Sequence, residues 1–407
     1  MESTRDEPEH QDALTDTPPT VGSFLKILRN VGSTSFATER ERMQALLATY
    51  ALMARLESPW ETVVRLCMIQ PALGATLKIL KDLQVFEKWQ AVGGGQMTSS
   101  QVAEAIGGTC EAALLERLLR LLASNHLLEE VSVGTFKPKP FGAAITAPIF
   151  DGITESFSNL SMPMYSRMPE FFSTTGYKTP QDSRNTVFQY AHGWNGDLWS
   201  YYQAHPKEQA EFNLIQQTIA SQQPSWTDIF PASNLLDTDP EKPLLVDVGG
   251  GTGHDVLKFH NEFPQTGCRL YLEDMELVVA STTLPESIHK VAYDFFTPQP
   301  IKGARAYLLH SILHDWSDEP ARRILVTQKE AMIPEYSSLL IHDHIVVEGF
   351  AHPQATAFDI QMMAMVAGQE RSERQWRKLI ESAGLKVVKI WNLPSAVHSV
   401  IEVKAAS

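Results

Sequence analysis

The sequence predicts an α/β fold in which a mainly parallel sheet follows a helical, winged-helix N-terminal region. Three observations carry that prediction. From about residue 226 onward, short apolar runs alternate with helical patterns, as in a sheet covered by helices on both faces. Between Thr98 and Phe136, two short helical patterns are followed by a two-stranded ribbon. Finally, an apolar strand runs straight into a glycine-rich turn at Leu244–Gly253.

The elements can be justified in chain order. Residues 1–20 are rich in Glu, Asp, Thr and Pro and nearly lack large apolar groups. Such a stretch cannot bury enough surface to offset its ordering entropy, so a disordered tail is expected. Residues 21–225 read as a helical domain. Leu46, Leu47, Tyr50, Ala51, Met53 and Ala54 recur at helical spacing. The Thr98-Ser99-Ser100 segment can cap a helix through Ala105, Gly107-Gly108 breaks it, and Thr109 can cap the next. That second helix carries Leu114, Leu115, Leu118, Leu119, Leu121 and Leu122. Leu127–Val131 and Gly134–Phe136 then form the wing. The apolar stretches between Leu46 and Leu83 are too continuous for a solvated helical face and predict an inter-subunit surface, hence a homodimer.

Residues 226–407 read as the α/β domain. Strand candidates are Leu244–Val248, Arg269–Leu272, Ala306–Leu309, Ser338–Ile341 and Leu385–Ile390, with helical patterns at Ala321–Met332 and Glu373–Ala383. With 34 Lys and Arg against 48 Asp and Glu, the net charge is −14. Nucleic-acid backbones and anionic membranes attract basic surfaces, so neither is expected as a partner, and the winged helix reads as a packing module. Three well-separated cysteines (Cys67, Cys110 and Cys268) offer neither a disulfide framework nor zinc-ligand spacing. The polar N-terminus lacks a signal-peptide core, and no uninterrupted apolar run approaches the ~18–20 residues of a membrane helix. A cytoplasmic protein is expected.

The glycine turn narrows the ligand. Gly249, Gly251 and Gly253 let the backbone turn tightly and approach a ligand without Cβ atoms in the way. A dinucleotide fingerprint would need a further glycine, and a phosphate loop would need Gly-Lys-Ser/Thr; neither is present. Asp247 lies at the tip of the first strand, where it could face an ammonium group. Asp274, 21 residues beyond Gly253, ends the second strand and could accept bonds from ribose hydroxyls. Its neighbour Glu273 is the alternative, because an extended segment points only one of them at the site. Asp294 could meet an adenine edge. A ligand with a ribose and a cationic amino acid, but no pyrophosphate, fits this set: S-adenosylmethionine.

The second constellation is Leu309-His-Ser-Ile-Leu-His-Asp-Trp316, which follows a strand end at the ligand crevice. His314 is placed as a general base, since a phenol of pKa about 10 keeps its proton at pH 7. Asp343 or Glu370 could hold one ring nitrogen and fix the tautomer. The nearby histidines show no His-x-x-x-His spacing with a Glu partner, so no metal is expected.

Together, Leu244–Gly253, Asp274, His314-Asp315-Trp316, Asp343 and Glu370-Arg371 resemble the plant-type and fungal S-adenosylmethionine-dependent small-molecule O-methyltransferases, over about residues 35–403. The resemblance implies a winged-helix dimerisation domain joined to a Rossmann-like class I methyltransferase domain. It implies metal-free methyl transfer to a hydroxyl of an aromatic or polyketide-type secondary metabolite. It places Asp247, Gly249, Gly251, Gly253, Asp274, Asp294, Phe295 and His310 around the cofactor. It makes His314 the base flanked by Asp343 and Glu370, and it gives Phe188, Tyr190, Met362, Met363 and Val366 to the substrate pocket. Asp343 replaces the usual Glu, and His310 stands where plant members commonly carry Lys. Some relatives of this kind use S-adenosylmethionine only as a bound charge in dehydration and pericyclic steps; retention of His314 favours methyl transfer.

Overall fold

The computed structural model describes residues 20–349, 351–393 and 396–406. The expected disordered tail lies outside the described residues except for Thr20, whose hydroxyl caps the helix Val21–Asn30 by accepting from the Ser23 amide. Packing separates the chain into two units, one ending at Thr62 and one running from Val63 to Ser407. The described part of the first unit is helical, with Val21–Asn30 followed by Glu39–Leu56. The longer helix starts with a reciprocal box, in which Thr38 and Glu41 each satisfy the other's free amide.

In the second unit, the winged helix has the predicted order. Thr98 caps Ser99–Ala105, and Ala112–Ser124 follows. Thr109 does not cap the second helix as expected. Its hydroxyl bonds back to the Ile106 carbonyl, and the helix starts after Glu111. The wing gains a third strand. β1 (Met97–Thr98), β2 (Leu128–Ser132) and β3 (Thr135–Pro138) form an antiparallel sheet in the order β1-β3-β2. Leu80, Phe86, Trp89, Leu115, Leu119 and Phe136 fill the core beneath it.

The larger sheet has seven strands: β4 (Leu245–Val248), β5 (Leu270–Asp274), β6 (Ile288–Ala292), β7 (Ala306–His310), β8 (Ser338–His344), β9 (Leu385–Trp391) and β10 (His398–Ala405). Their order is β6-β5-β4-β7-β8-β10-β9. The first five run parallel, and β10 is antiparallel to both β8 and β9. Two apolar clusters cover the faces. One contains Val246, Tyr307, Leu309, Ile341 and Trp376; the other contains Leu245, Phe259, Leu308, Leu340 and Trp226. The alternation of β-strand side chains sorts neighbours to opposite faces. All five predicted strands are present, while β6 and β10 were missed.

Two observations stand beside the sequence expectations. Packing does not part residues 63–225 from 226–407, because Leu160, Met164, Phe171, Phe188 and Tyr202 share one core with Ala364–Val366. In addition, Pro59–Asp82 is a continuous helix of 24 residues that is long and apolar enough to cross a membrane by length and composition. Arg65, Gln70 and Lys78 punctuate the run, so reading for uninterrupted apolar residues overlooks it. Much of its apolar surface is exposed, including Val63, Leu66 and Met68.

Candidate active site

The first part of the site is the glycine turn after β4. Gly249, Gly251 and Gly253 all have positive φ, at 70°, 58° and 79°. A Cβ on Gly249 would stand 2.6 Å from Ile312 Cδ1 and 3.6 Å from Phe295 Cε1, whereas among the described residues one on Gly251 would meet nothing within 4 Å. The turn is therefore closed on the Gly249 side by Ile312 and Phe295 and open above Gly251. The amides of Gly249 and Gly250 donate to the Glu273 carbonyl, which ties the turn to β5.

The acidic residues separate clearly. Asp274 Oδ2 accepts from the Gly251 amide at 2.8 Å, and its Oδ1 accepts from the Met275 amide. Glu273 points the other way and is fully buried; its Oε2 accepts from Gln299 Nε2 at 2.7 Å. Asp274 is thus the carboxylate beside the turn. Asp247 is turned in beneath the glycines, not held at an open strand tip. It is fully buried, its Oδ2 accepts from the Val256 amide, and a Cβ on Gly250 would stand 2.5 Å from its Cγ. Burial and the nearby Asp255 push its carboxyl up to about 8. Asp294 organises an exposed turn by accepting from the Phe296 amide. His310 is held by Asp255, with Nδ1 to Oδ2 at 2.6 Å. The glycine cradle, open above Gly251 with a carboxylate at its rim, fits a nucleoside whose ribose hydroxyls reach Asp274.

The second part is the loop after β7. Ser311 takes a positive φ of 51° and turns the chain into a short 3₁₀ segment, Leu313–Asp315, which presents His314. His314 Nδ1 is 2.9 Å from Glu370 Oε1 and makes a hydrogen bond there. Asp343 Oδ1 lies at 3.7 Å, too far for one, so Glu370 rather than Asp343 orients the ring. Glu370 is itself fixed. Its amide donates to Asp359 Oδ1 at 2.8 Å, and its Oε2 lies 3.1 Å from His344 Nδ1. Burial alone would lower the His314 pKa, but Asp343, Asp315 and Glu370 surround it and push it up to about 10. Burial would raise Glu370, but His314 and His344 bring it down to about 2. Burial dominates at Asp315 and lifts it to about 7. The pair is therefore an imidazolium against a carboxylate.

Two residues without a sequence-assigned role hold this loop. Arg371 is fully buried and donates to the carbonyls of Leu313 and Trp316, at 2.8 and 2.7 Å. Its Nε and Nη2 also bond Asp318 Oδ1. Gly368 lets the chain pass directly over the loop: a Cβ there would overlap the His314 carbonyl oxygen, which accepts from the Gln369 amide at 2.8 Å. Neither role has a signature in one sequence, because both depend on which carbonyls come near after folding.

The predicted substrate-pocket residues divide. Phe188 and Val366 are buried in the core shared by the helices Val187–His192 and Pro353–Val366, with Met362 packed against them. Met363 is half-buried. Tyr190 is exposed and meets the Phe171 ring at 5.9 Å.

Comparison with known proteins agrees with this geometry. A family model for the O-methyltransferase domain matches residues 177–386, and one for the O-methyltransferase dimerisation domain matches residues 71–148. The O-methyltransferase mfmE of Annulohypoxylon moriforme is 52% identical over 381 residues, covering 93% of this chain and 94% of that protein. A solved structure described as a pericyclic reaction enzyme superposes with a TM-score of 0.84 at 27% identity, covering 95% of this chain and 99% of its own. OxaC in complex with SAH and oxaline gives a TM-score of 0.79 at 26% identity, over 95% and 96% of the two chains. With a glycine cradle, an oriented histidine and these relatives, the chain belongs to the S-adenosylmethionine-dependent O-methyltransferase family.

Proposed function

We propose that this enzyme methylates a hydroxyl of an aromatic or polyketide-type secondary metabolite, that His314 is its general base, and that it works as a cytoplasmic homodimer. The observation that carries the base assignment is the 2.9 Å bond from His314 Nδ1 to Glu370 Oε1 on a loop fixed by Arg371. With Nδ1 engaged, Nε2 is the nitrogen left to take a hydroxyl proton. S-adenosylmethionine, when bound, supplies an electrophilic methyl on a sulfonium. The Asp274 carboxylate and the backbone over Gly251 would hold its ribose side, and Phe295 and Asp294 would stand at its adenine. Asp247 and His310 would support this wall from beneath, through Val256 and Asp255. Phe188, Met362, Met363 and Val366 supply apolar packing around the acceptor, with Tyr190 at its outer edge.

His314 must lose its proton before it can accept another. With S-adenosylmethionine bound, its positive charge would favour release of that proton from His314 to solvent, because like charges disfavour the charged form. The acceptor oxygen then transfers its proton to Nε2, and Glu370 stabilises the ion pair that results. Alignment in a water-poor pocket supplies the remaining acceleration.

A second reading is supported by the likeness to a pericyclic reaction enzyme at a TM-score of 0.84. There the cofactor would serve as a bound charge in a dehydration or pericyclic step on a polyketide-derived substrate. One experiment separates the two. The enzyme is incubated with methyl-labelled S-adenosylmethionine and a panel of phenolic acceptors, and products are read by mass. A labelled product with equimolar S-adenosylhomocysteine supports methyl transfer. Product formation that requires S-adenosylmethionine but consumes none supports the second reading. His314→Ala is expected to lower methyl transfer by about 10²–10⁴-fold while cofactor binding survives; full activity in that variant would remove the base assignment.

A further inference from the structure

Beyond the candidate base, the sheet carries a second set of imidazoles. His310 and His342 are paired neighbours on β7 and β8, and His344 and His398 are paired neighbours on β8 and β10. Because strand side chains alternate, His310, His342, His344 and His398 fall on the same face as Leu308, Leu340 and Val400. Their rings meet one another: His310 and His342 are 4.1 Å apart by centroid, His342 and His398 5.2 Å, and His344 and His398 4.1 Å.

Burying this many imidazoles is costly unless their nitrogens are satisfied. Among the described residues, both nitrogens of His342 and Nδ1 of His398 are buried without a hydrogen-bond partner. His342 and His398 are 1% and 3% exposed. His310 differs: its Nδ1 is bonded to Asp255 Oδ2, which leaves Nε2 directed elsewhere. A carboxylate on one nitrogen and a free opposite nitrogen is the arrangement by which proteins orient a metal-binding histidine.

We propose that His310, His342 and His398 form a binding site for a zinc-class divalent transition ion, with Asp255 as the carboxylate that orients His310. One ring nitrogen from each of the three histidines lies within 4.8 Å of the others. Ligands about 2.0–2.1 Å from one zinc ion stand roughly 3.3 Å apart, so modest side-chain rotation closes the set. Neutral imidazoles favour zinc, nickel, copper or iron over magnesium or calcium. A second grouping, His314, His344 and Glu370, is less suited, because Glu370 is already engaged by both histidines. The ion would tie the ends of β7, β8 and β10 together. Through the His398–His344 contact and the His344–Glu370 pair, it would lie one residue removed from the carboxylate that orients His314.

The test uses the full chain, purified without a histidine tag. The protein is stripped with a chelator, dialysed, and reloaded with zinc or cobalt. The wild type is expected to retain about one equivalent of zinc by elemental analysis and to melt at a higher temperature when loaded. Its cobalt form should show the visible bands of a nitrogen-ligated site. His342→Gln and His398→Gln should each lose the equivalent and the thermal shift, while His289→Gln, an exposed histidine elsewhere on the sheet, should keep both. Wild-type protein that takes up no stoichiometric zinc and shows no thermal shift overturns the site, whether or not the variants fold. Equal zinc in the wild type and in folded His342→Gln also overturns it and leaves an adventitious ion only. None of these readouts depends on methyl transfer.

Discussion

At the scale of single residues, the site rests on close approaches that allow little substitution. Gly368 is the sharpest case, since any side chain there would push on the His314 carbonyl. Gly368→Ala should therefore displace His314, the proposed base, and lower kcat by roughly 10–100-fold, as small misplacements of catalytic groups do. Cofactor affinity should change little, and isothermal titration against steady-state rates separates the two. The charge state of His314 makes a second prediction. Its pKa is raised from 6.5 to about 10, so the protonated form dominates the free enzyme at pH 7. With His314 as the proposed base, the rate should rise with pH along an alkaline limb, and His314→Gln should lose that limb along with most of its activity. Stability runs the opposite way. A raised folded pKa gives stabilisation that is complete below about pH 6.5 and is lost as pH climbs toward 10. Glu370, lowered from 4.5 to about 2, contributes stability above about pH 4.5 that is lost as pH falls toward 2. Thermal melts across pH should narrow from both sides, and the alkaline loss should be smaller in His314→Gln.

At the scale of elements, the loop that carries His314 is held by the chain segment after Pro353–Val366. Arg371 spans that gap, with two carbonyls and Asp318 as its partners and the Trp376 ring beneath it at 5.2 Å. Replacing Arg371 with Met would keep apolar volume but strand the carbonyls of Leu313 and Trp316. A cost of about 2–4 kcal/mol is expected from the two lost charge-assisted bonds, read in a denaturant melt. Activity should fall further than stability, because the loop presents His314, the proposed base. Arg371→Lys should recover only part of either, since an ammonium cannot reproduce the fork. Elements of this kind mark the limit of what the sequence reveals. β4, β5, β7, β8 and β9 were readable because each is a short apolar run between helical patterns. β10 was not, because His398, Ser399, Glu402 and Lys404 break its apolar run, although it lies inside the sheet between β8 and β9. β6 was not, because its middle is exposed His289 and Lys290 at the sheet edge. His314 and the glycine turn were readable as types at strand ends, and Glu370 as a carboxylate ahead of a helix. The choice of Glu370 over Asp343 and of Asp274 over Glu273 was not, because side-chain direction is set by packing. The imidazole face of β7, β8 and β10 was hidden for the same reason: its members are dispersed from position 310 to position 398.

At the scale of the whole molecule, the net charge of −14 says little about chemistry at the buried site but sets limits on association. A negative molecule is not driven onto nucleic acid by its overall field. Self-association instead needs an apolar surface large enough to outweigh repulsion between like-charged copies. The helix Pro59–Asp82 offers one: Val63, Leu66 and Met68 are each more than half exposed, and the family's dimerisation domain begins within the same helix at residue 71. A second copy of this chain is the occupant that this continuity favours, and a stable pair needs on the order of 800 Å² or more buried per copy. The wild type should therefore scatter light as a species of about twice 45.4 kDa at micromolar concentration. Leu66→Glu combined with Met68→Glu should return it to 45.4 kDa, since burying two unpaired carboxylates costs more than the apolar contact provides. Both side chains are exposed within one chain, so the circular dichroism of the monomer should stay that of a folded protein. A wild type that is monomeric at that concentration would remove the pair, and a double variant that remains paired would place the contact elsewhere. If the pair does form through this helix, moderate salt should strengthen it, because screening weakens the repulsion between two chains of charge −14 and leaves the apolar contact in place.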